Sequence, residues 1–200
     1  NIAGLSQANA STPIGLTGYY SFVQVDGQTI IGSGASLQPA LLNLFSTDET
    51  SYGSAPYVPK LGDQFRMLTS SGGITGRFSS LIQPEGMAAG TQFVSFYNMN
   101  NSNSIDLAVV PTSYPTTIAS ASGNKNAQSV GSVLDHLVQA NLSATSTTAQ
   151  DQLLYAISGQ ATPSSIASYA QSLAGEVYPA AVSVIAQTTK RIQQAVLTRL

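Results

Sequence analysis

Residues able to do chemistry are few in this chain. Its one histidine, His136, stands next to Asp135 among residues patterned as a helix. A histidine beside a carboxylate suggests general base catalysis and, with a serine, a nucleophilic triad. Neighbouring helical residues point about 100° apart, however, so Asp135 cannot orient the His136 ring. No Gly-x-Ser-x-Gly elbow is present to expose a nucleophile. Gly32-Ser33-Gly34 and Gly72-Gly73 lack the lysine of a phosphate-binding loop and read as turns. Asp48 and Glu49 read as solvated loop acids. With no cysteine, one histidine and scattered acids, the chain offers no metal-ligand set. The expectation is a protein that is not an enzyme and uses no cofactor or metal.

Two halves of different character carry these residues. From Gly4 to about Pro111 the signals are β. The strand candidates are Tyr19–Val25, Thr29–Ile31, Gln64–Thr69, Thr91–Tyr97 and Ser104–Val110. Phe93, Ser95 and Tyr97 share one parity, as do Ile105, Leu107 and Val109. Asp26-Gly27 between Val25 and Thr29 is a hairpin-type signal. The Asn-rich run from Asn98 to Asn103 separates two strands. Residues Pro115–Asn126, rich in Ser, Thr, Ala and Asn, read as a connector.

From about Gln128 the period turns helical. Val130, Val133, Leu134, Leu137, Val138 and Leu142 form one apolar stripe. Thr148 can cap a second helix with Asp151 as its capping-box partner, and Gly159 ends it. Thr162 and Pro163 open a third, followed by Gly175. A fourth begins at Pro179, with Val182, Ile185, Ile192 and Val196 on its apolar side. Its roughly 20 residues reach about 30 Å, the thickness of a bilayer core. Its polar positions suit a wet lumen better than lipid.

Composition narrows the function classes. Of 200 residues only 8% are charged, against about 25% in a typical soluble domain. Ser, Thr, Asn, Gln and Gly supply the polarity, which suits an extracellular β surface. Net charge is −2 without a basic cluster, so no nucleic-acid partner is expected. The chain has neither a signal-peptide pattern nor an apolar run of spanning length, and it reads as an excised fragment.

The string from Gly62 through Asp63, Gln64, Phe65, Arg66, Met67 and Leu68, then Ser71-Gly72-Gly73-Ile74-Thr75-Gly76-Arg77-Phe78, resembles a passage near the end of bacterial autotransporter passengers. So do Pro84 to Gly90 with Phe93–Tyr97, and Ile105-Asp106-Leu107. Leu173-Ala174-Gly175-Glu176-Val177-Tyr178-Pro179 is similar to the element that precedes the translocator in that family. The resemblance implies a mainly β fold: terminal rungs and cap of a right-handed parallel β-helix over residues 1–115. A helical connector would follow over 116–178, then a linker helix over 179–200 that enters an outer-membrane β-barrel outside this chain.

The implied role is nucleation of passenger folding and support of secretion at a Gram-negative cell surface. The barrel and the upstream rungs would be the partners. Tyr20, Phe22, Phe65, Phe78, Phe93, Phe96, Ile105 and Leu107 are the expected folding core. The alternative is an adhesin segment that binds a host protein or glycan, with Tyr52 and Tyr57 as its exposed aromatics. A surface-layer protein is a further option.

Overall fold

Within Ser104–Pro111 the apolar residues run without alternation from Leu107 onward, and all eight residues are buried. Such a strand needs cover on both faces. The computed structural model describes Ile2 and residues 20–41, 43–45, 52–121 and 123–175. In chain order the strands are β1 (Val23–Val25), β2 (Thr29–Ile30), β3 (Ser36–Leu37), β4 (Asn43–Phe45), β5 (Tyr52–Pro56), β6 (Gln64–Ser70), β7 (Ile74–Thr75), β8 (Ser80–Leu81), β9 (Thr91–Tyr97) and β10 (Ser104–Pro111). The helices are α1 (Tyr114–Ser120), α2 (Lys125–Leu142), α3 (Thr148–Ser158) and α4 (Pro163–Leu173).

A four-stranded sheet in the order β1-β6-β10-β9 forms the middle layer. β10 runs antiparallel to both β6 and β9, and β1 runs parallel to β6. On one face, Val94, Phe96, Ala108 and Val110 pack against Tyr114, Ile118, Leu134, Leu154 and Ile166 of the helices. On the other, Phe65, Phe93, Leu107 and Val109 meet Ile2 and Tyr20, with Leu37, Leu41 and Leu81 packed around them. The parity read in the sequence is therefore one face of a two-faced strand.

The expected β-helix is overturned by this architecture. The described residues are mixed α/β: a four-stranded mixed sheet, small two-stranded sheets and four helices packed together. A solenoid needs every strand to stack in parallel on the next. Here Asn98–Asn103 is too short for a parallel crossover, so β9 and β10 must return antiparallel. Positive φ angles at Asn98, Asn100 and Asn101 close that turn at residues that tolerate them. Among the described residues, parallel pairing amounts to three short ladders and a single bridge from Ile2 to Leu41. Val23 lies opposite Leu68, Thr29 opposite Ile74 and Ser36 opposite Ser80, at nearly constant sequence separation.

Other local expectations shift as well. Asp26-Gly27 makes a turn, but β1 and β2 do not pair with each other. Each pairs with the later segment, whose Gly72 amide and Ser70 hydroxyl both donate to the Gly27 carbonyl. The anticipated connector holds α1: Ser113 caps it, Pro115 lies in its first turn, and Tyr114 and Ile118 bury one turn apart. Gly131 lets α1 lie close on α2, since a Cβ there would meet the Pro115 nitrogen and Ile118 Cδ1, each at 2.9 Å. On α2, Leu134, Leu137 and Val138 are buried while Val133 stays exposed.

Candidate functional site

Phe65, Phe93, Phe96, Ile105 and Leu107 are fully buried, and Tyr20 nearly so. Phe22 is partly buried at the edge of the second cluster. Phe78 is half-buried, with its ring 6.4 Å from that of Tyr97. Val182, Ile185, Ile192 and Val196 lie outside the described residues, as do Asp48 and Glu49 and the side chain of Tyr52. Tyr57 is half-buried, and its hydroxyl donates to Asp63 at 2.7 Å. Burial and that carboxylate raise its pKa above the ordinary tyrosine value.

His136 is exposed, and Asp135 turns away from it to accept the backbone amide of Tyr114 at 2.8 Å. The pair that suggested base catalysis is thus divided between solvent and a helix start. Among the described residues no group of His, Asp or Glu is placed to hold a metal ion. Nor is any helix among them long and apolar enough to cross a membrane.

Two polar networks emerge that sequence reading missed. The first wraps around the edge of β9. Arg77, after β7, reaches the carboxylate of Asp151 on α3 and the Ser146 hydroxyl at 2.8 Å, with its guanidinium 4.9 Å from the Tyr97 ring centre. Asn141 of α2 donates from one amide nitrogen to Asp151 at 2.8 Å and to the Ser95 carbonyl at 3.0 Å. Asp151, expected as a capping-box partner, is fully buried in this role; Thr147 and Gln150 form the box instead. Only the arginine's position three residues after Ile74 hinted at a charge near the sheet.

The second network borders a cleft. Arg66 Nε donates to Asp106 at 3.0 Å, and the Tyr155 hydroxyl donates to the same carboxylate at 3.4 Å. The Asp106 hydrogen bond raises the Arg66 pKa, and burial raises that of Tyr155. Both groups therefore hold their protons at neutral pH. The Tyr155 ring packs edge-on against Phe96 at 5.1 Å. Beside it opens a cleft of about 350 Å³ between α3 and the β9–β10 turn, lined by Gln64, Met99, Asn100, Gln152, Tyr155, Ala156 and Gly159.

The edge of β9 is finished by side chains. Gln83 donates from Nε2 to the Phe93 carbonyl at 2.9 Å and accepts the Phe93 amide on Oε1 at 2.8 Å. With Asn141 on the Ser95 carbonyl, side-chain amides stand where another strand would pair. At the opposite end of the sheet, Val23 and, on the adjoining ladder, Ile30 are 50% and 72% exposed. Ile2 joins that side through a parallel bridge to Leu41.

Comparison with family models, with curated proteins and with solved structures found no match for this chain.

Proposed function

We propose that this chain is a folding nucleus that supports the folding and secretion of a longer cell-surface protein, the role the autotransporter resemblance implies. The stacked-rung basis for that role falls with the solenoid. The asymmetry of the sheet edges supports it instead. One edge is capped by Gln83 and Asn141; the other carries short parallel ladders with exposed Val23 and Ile30, and Ile2 bridges there to Tyr20 in antiparallel and to Leu41 in parallel. Among the described residues no strand pairs with the outer side of β1; a nucleus closed along β9 lets chain add on that side, and directional addition removes the loop-closure delay of long-range β pairing. The interior serves packing: two apolar clusters face each other across the sheet, and the histidine is spent on the surface.

The test is surface display of the protein from its own gene. Phe65→Ala should cost the nucleus about 3–5 kcal/mol, and display should fall in step with the stability of the purified chain. Undiminished display from a protein carrying both Phe65→Ala and Phe93→Ala would overturn the proposal.

A further inference from the structure

Beside Tyr155 the surface holds a cleft whose chemistry the folding role leaves unused. Its volume, about 350 Å³, lies at the small end of ligand pockets, about 300–1,000 Å³. Three carboxamides, those of Gln64, Asn100 and Gln152, line it, and no charged side chain does. The nearest ions, Arg66 and Asp106, are paired with each other. We infer that this cleft binds a neutral saccharide, its amides meeting ring hydroxyls and the Tyr155 ring meeting a sugar C–H face.

The lining fits that class and disfavours others. A carboxamide donates and accepts at once, as adjacent sugar hydroxyls require. The Asn100 and Gln152 amides are exposed and make no hydrogen bond to any described residue, so binding displaces only water from them. The Gln64 amide nitrogen is committed to Ser158 at 3.1 Å, which leaves its oxygen to accept. A phosphate or carboxylate ligand finds no cation free to meet it here.

The walls are set beforehand, which reduces the ordering that binding requires. Tyr155 is held by Phe96 through its ring and by Asp106 through its hydroxyl. Met99, beneath Asn100, is buried, and its carbonyl accepts both the amide and the hydroxyl of Ser102. Asn100 itself sits at φ 53°, ψ 38°, a conformation the turn imposes.

Saturation-transfer NMR and calorimetry with maltose, cellobiose, lactose and diacetylchitobiose test the inference on the full chain, with glucose 1-phosphate as the charged comparison. At least one neutral disaccharide should bind at millimolar concentration, shifting backbone signals of residues 99–101 and 152–159. Asn100→Gly keeps the left-handed turn while removing the amide, and Gln152→Ala lies on an exposed helix position. Together they should weaken binding about tenfold, with thermal unfolding unchanged. If that double variant fails to fold, Ala156→Arg, which fills the cleft from an exposed site, should abolish binding instead. No binding by any of the four sugars overturns the inference. So does binding that the cleft variants leave unchanged, or a preference for the phosphorylated sugar.

Discussion

Arg77 and Asp151 meet around the edge of β9, joining the ladder layer to the helical layer past the sheet that separates them. Asp151 is buried to 1% side-chain exposure, so its charge depends on Arg77 and on the Asn141 amide. Breaking such a pair from one side leaves an uncompensated buried ion. Arg77→Ala should therefore destabilise the chain by about 3–5 kcal/mol, read as a lowered urea midpoint. Asp151→Asn should cost less, because Arg77 is partly exposed and can hydrate. Equal losses from the two changes would show that packing, not the buried charge, sets the cost.

Tyr114 is fully buried, and its hydroxyl meets no hydrogen-bond partner among the described residues. An unmatched buried hydroxyl carries a desolvation penalty of about 1–3 kcal/mol. Tyr114→Phe should thus leave stability at neutral pH unchanged or raised. A loss above about 1 kcal/mol, on the scale of a typical hydrogen bond, would reveal a hidden partner for the hydroxyl.

Alkaline pH should unfold the chain. Burial raises the pKa values of Tyr57, Tyr114 and Tyr155 above the ordinary 10.0. A raised folded value means that the native state keeps its proton where the unfolded chain has lost it. The associated stability is intact below pH 10 and is lost as pH climbs toward the folded values. Each such tyrosine adds a slope of up to about 1.4 kcal/mol per pH unit. Phenolate absorbance should rise together with loss of the near-ultraviolet circular dichroism, and Tyr114→Phe should flatten the slope. Gradual tyrosine ionisation in a chain that stays folded would contradict this.

Gln83 occupies the place of a neighbouring strand at Phe93. Gln83→Ala frees both backbone groups, so the Phe93 amide should exchange with solvent faster and the chain should self-associate through β9. Gln83→Glu should act similarly, since a carboxylate cannot donate to the Phe93 carbonyl. Slow exchange and a monodisperse species in both variants would mean that the edge is guarded by other contacts.

Gly76 has φ 85°, and a Cβ there would fall on the Ile31 carbonyl oxygen of the adjoining segment. Gly76→Ala should cost about 1–3 kcal/mol through strain and loss of the close approach. Chemical denaturation of the variant measures this, and a neutral result would mean that the β2–β7 ladder yields freely.

Much of the local structure was legible in the chain itself. The three long strands, the Asn-rich turn and the helices starting at Pro163 and ending at Gly159 follow from side-chain type, spacing and capping, all of which act over a few residues. Helix α1 was hidden because its Ser, Thr and Ala residues favour turns unless Tyr114 and Ile118 have a core to enter. The β-helix expectation failed at the same scale: alternating Ile105, Leu107 and Val109 describe one buried face, and nothing local announces that helices bury the other. The candidate cleft was equally hidden, since Gln64, Asn100 and Gln152 stand far apart in the chain.

Composition and periodicity by themselves decided the three long strands, the Asn-rich turn and helices α2 to α4, and that a disulfide framework is excluded. Tertiary structure alone decided the strand order, the pairing of β1 with β6, the clasp of Arg77 on Asp151 and the cleft beside Tyr155. The reason is one of range: backbone preference and hydrophobic period are written within a few residues, whereas those contacts join segments tens of residues apart and come into being only when the layers close.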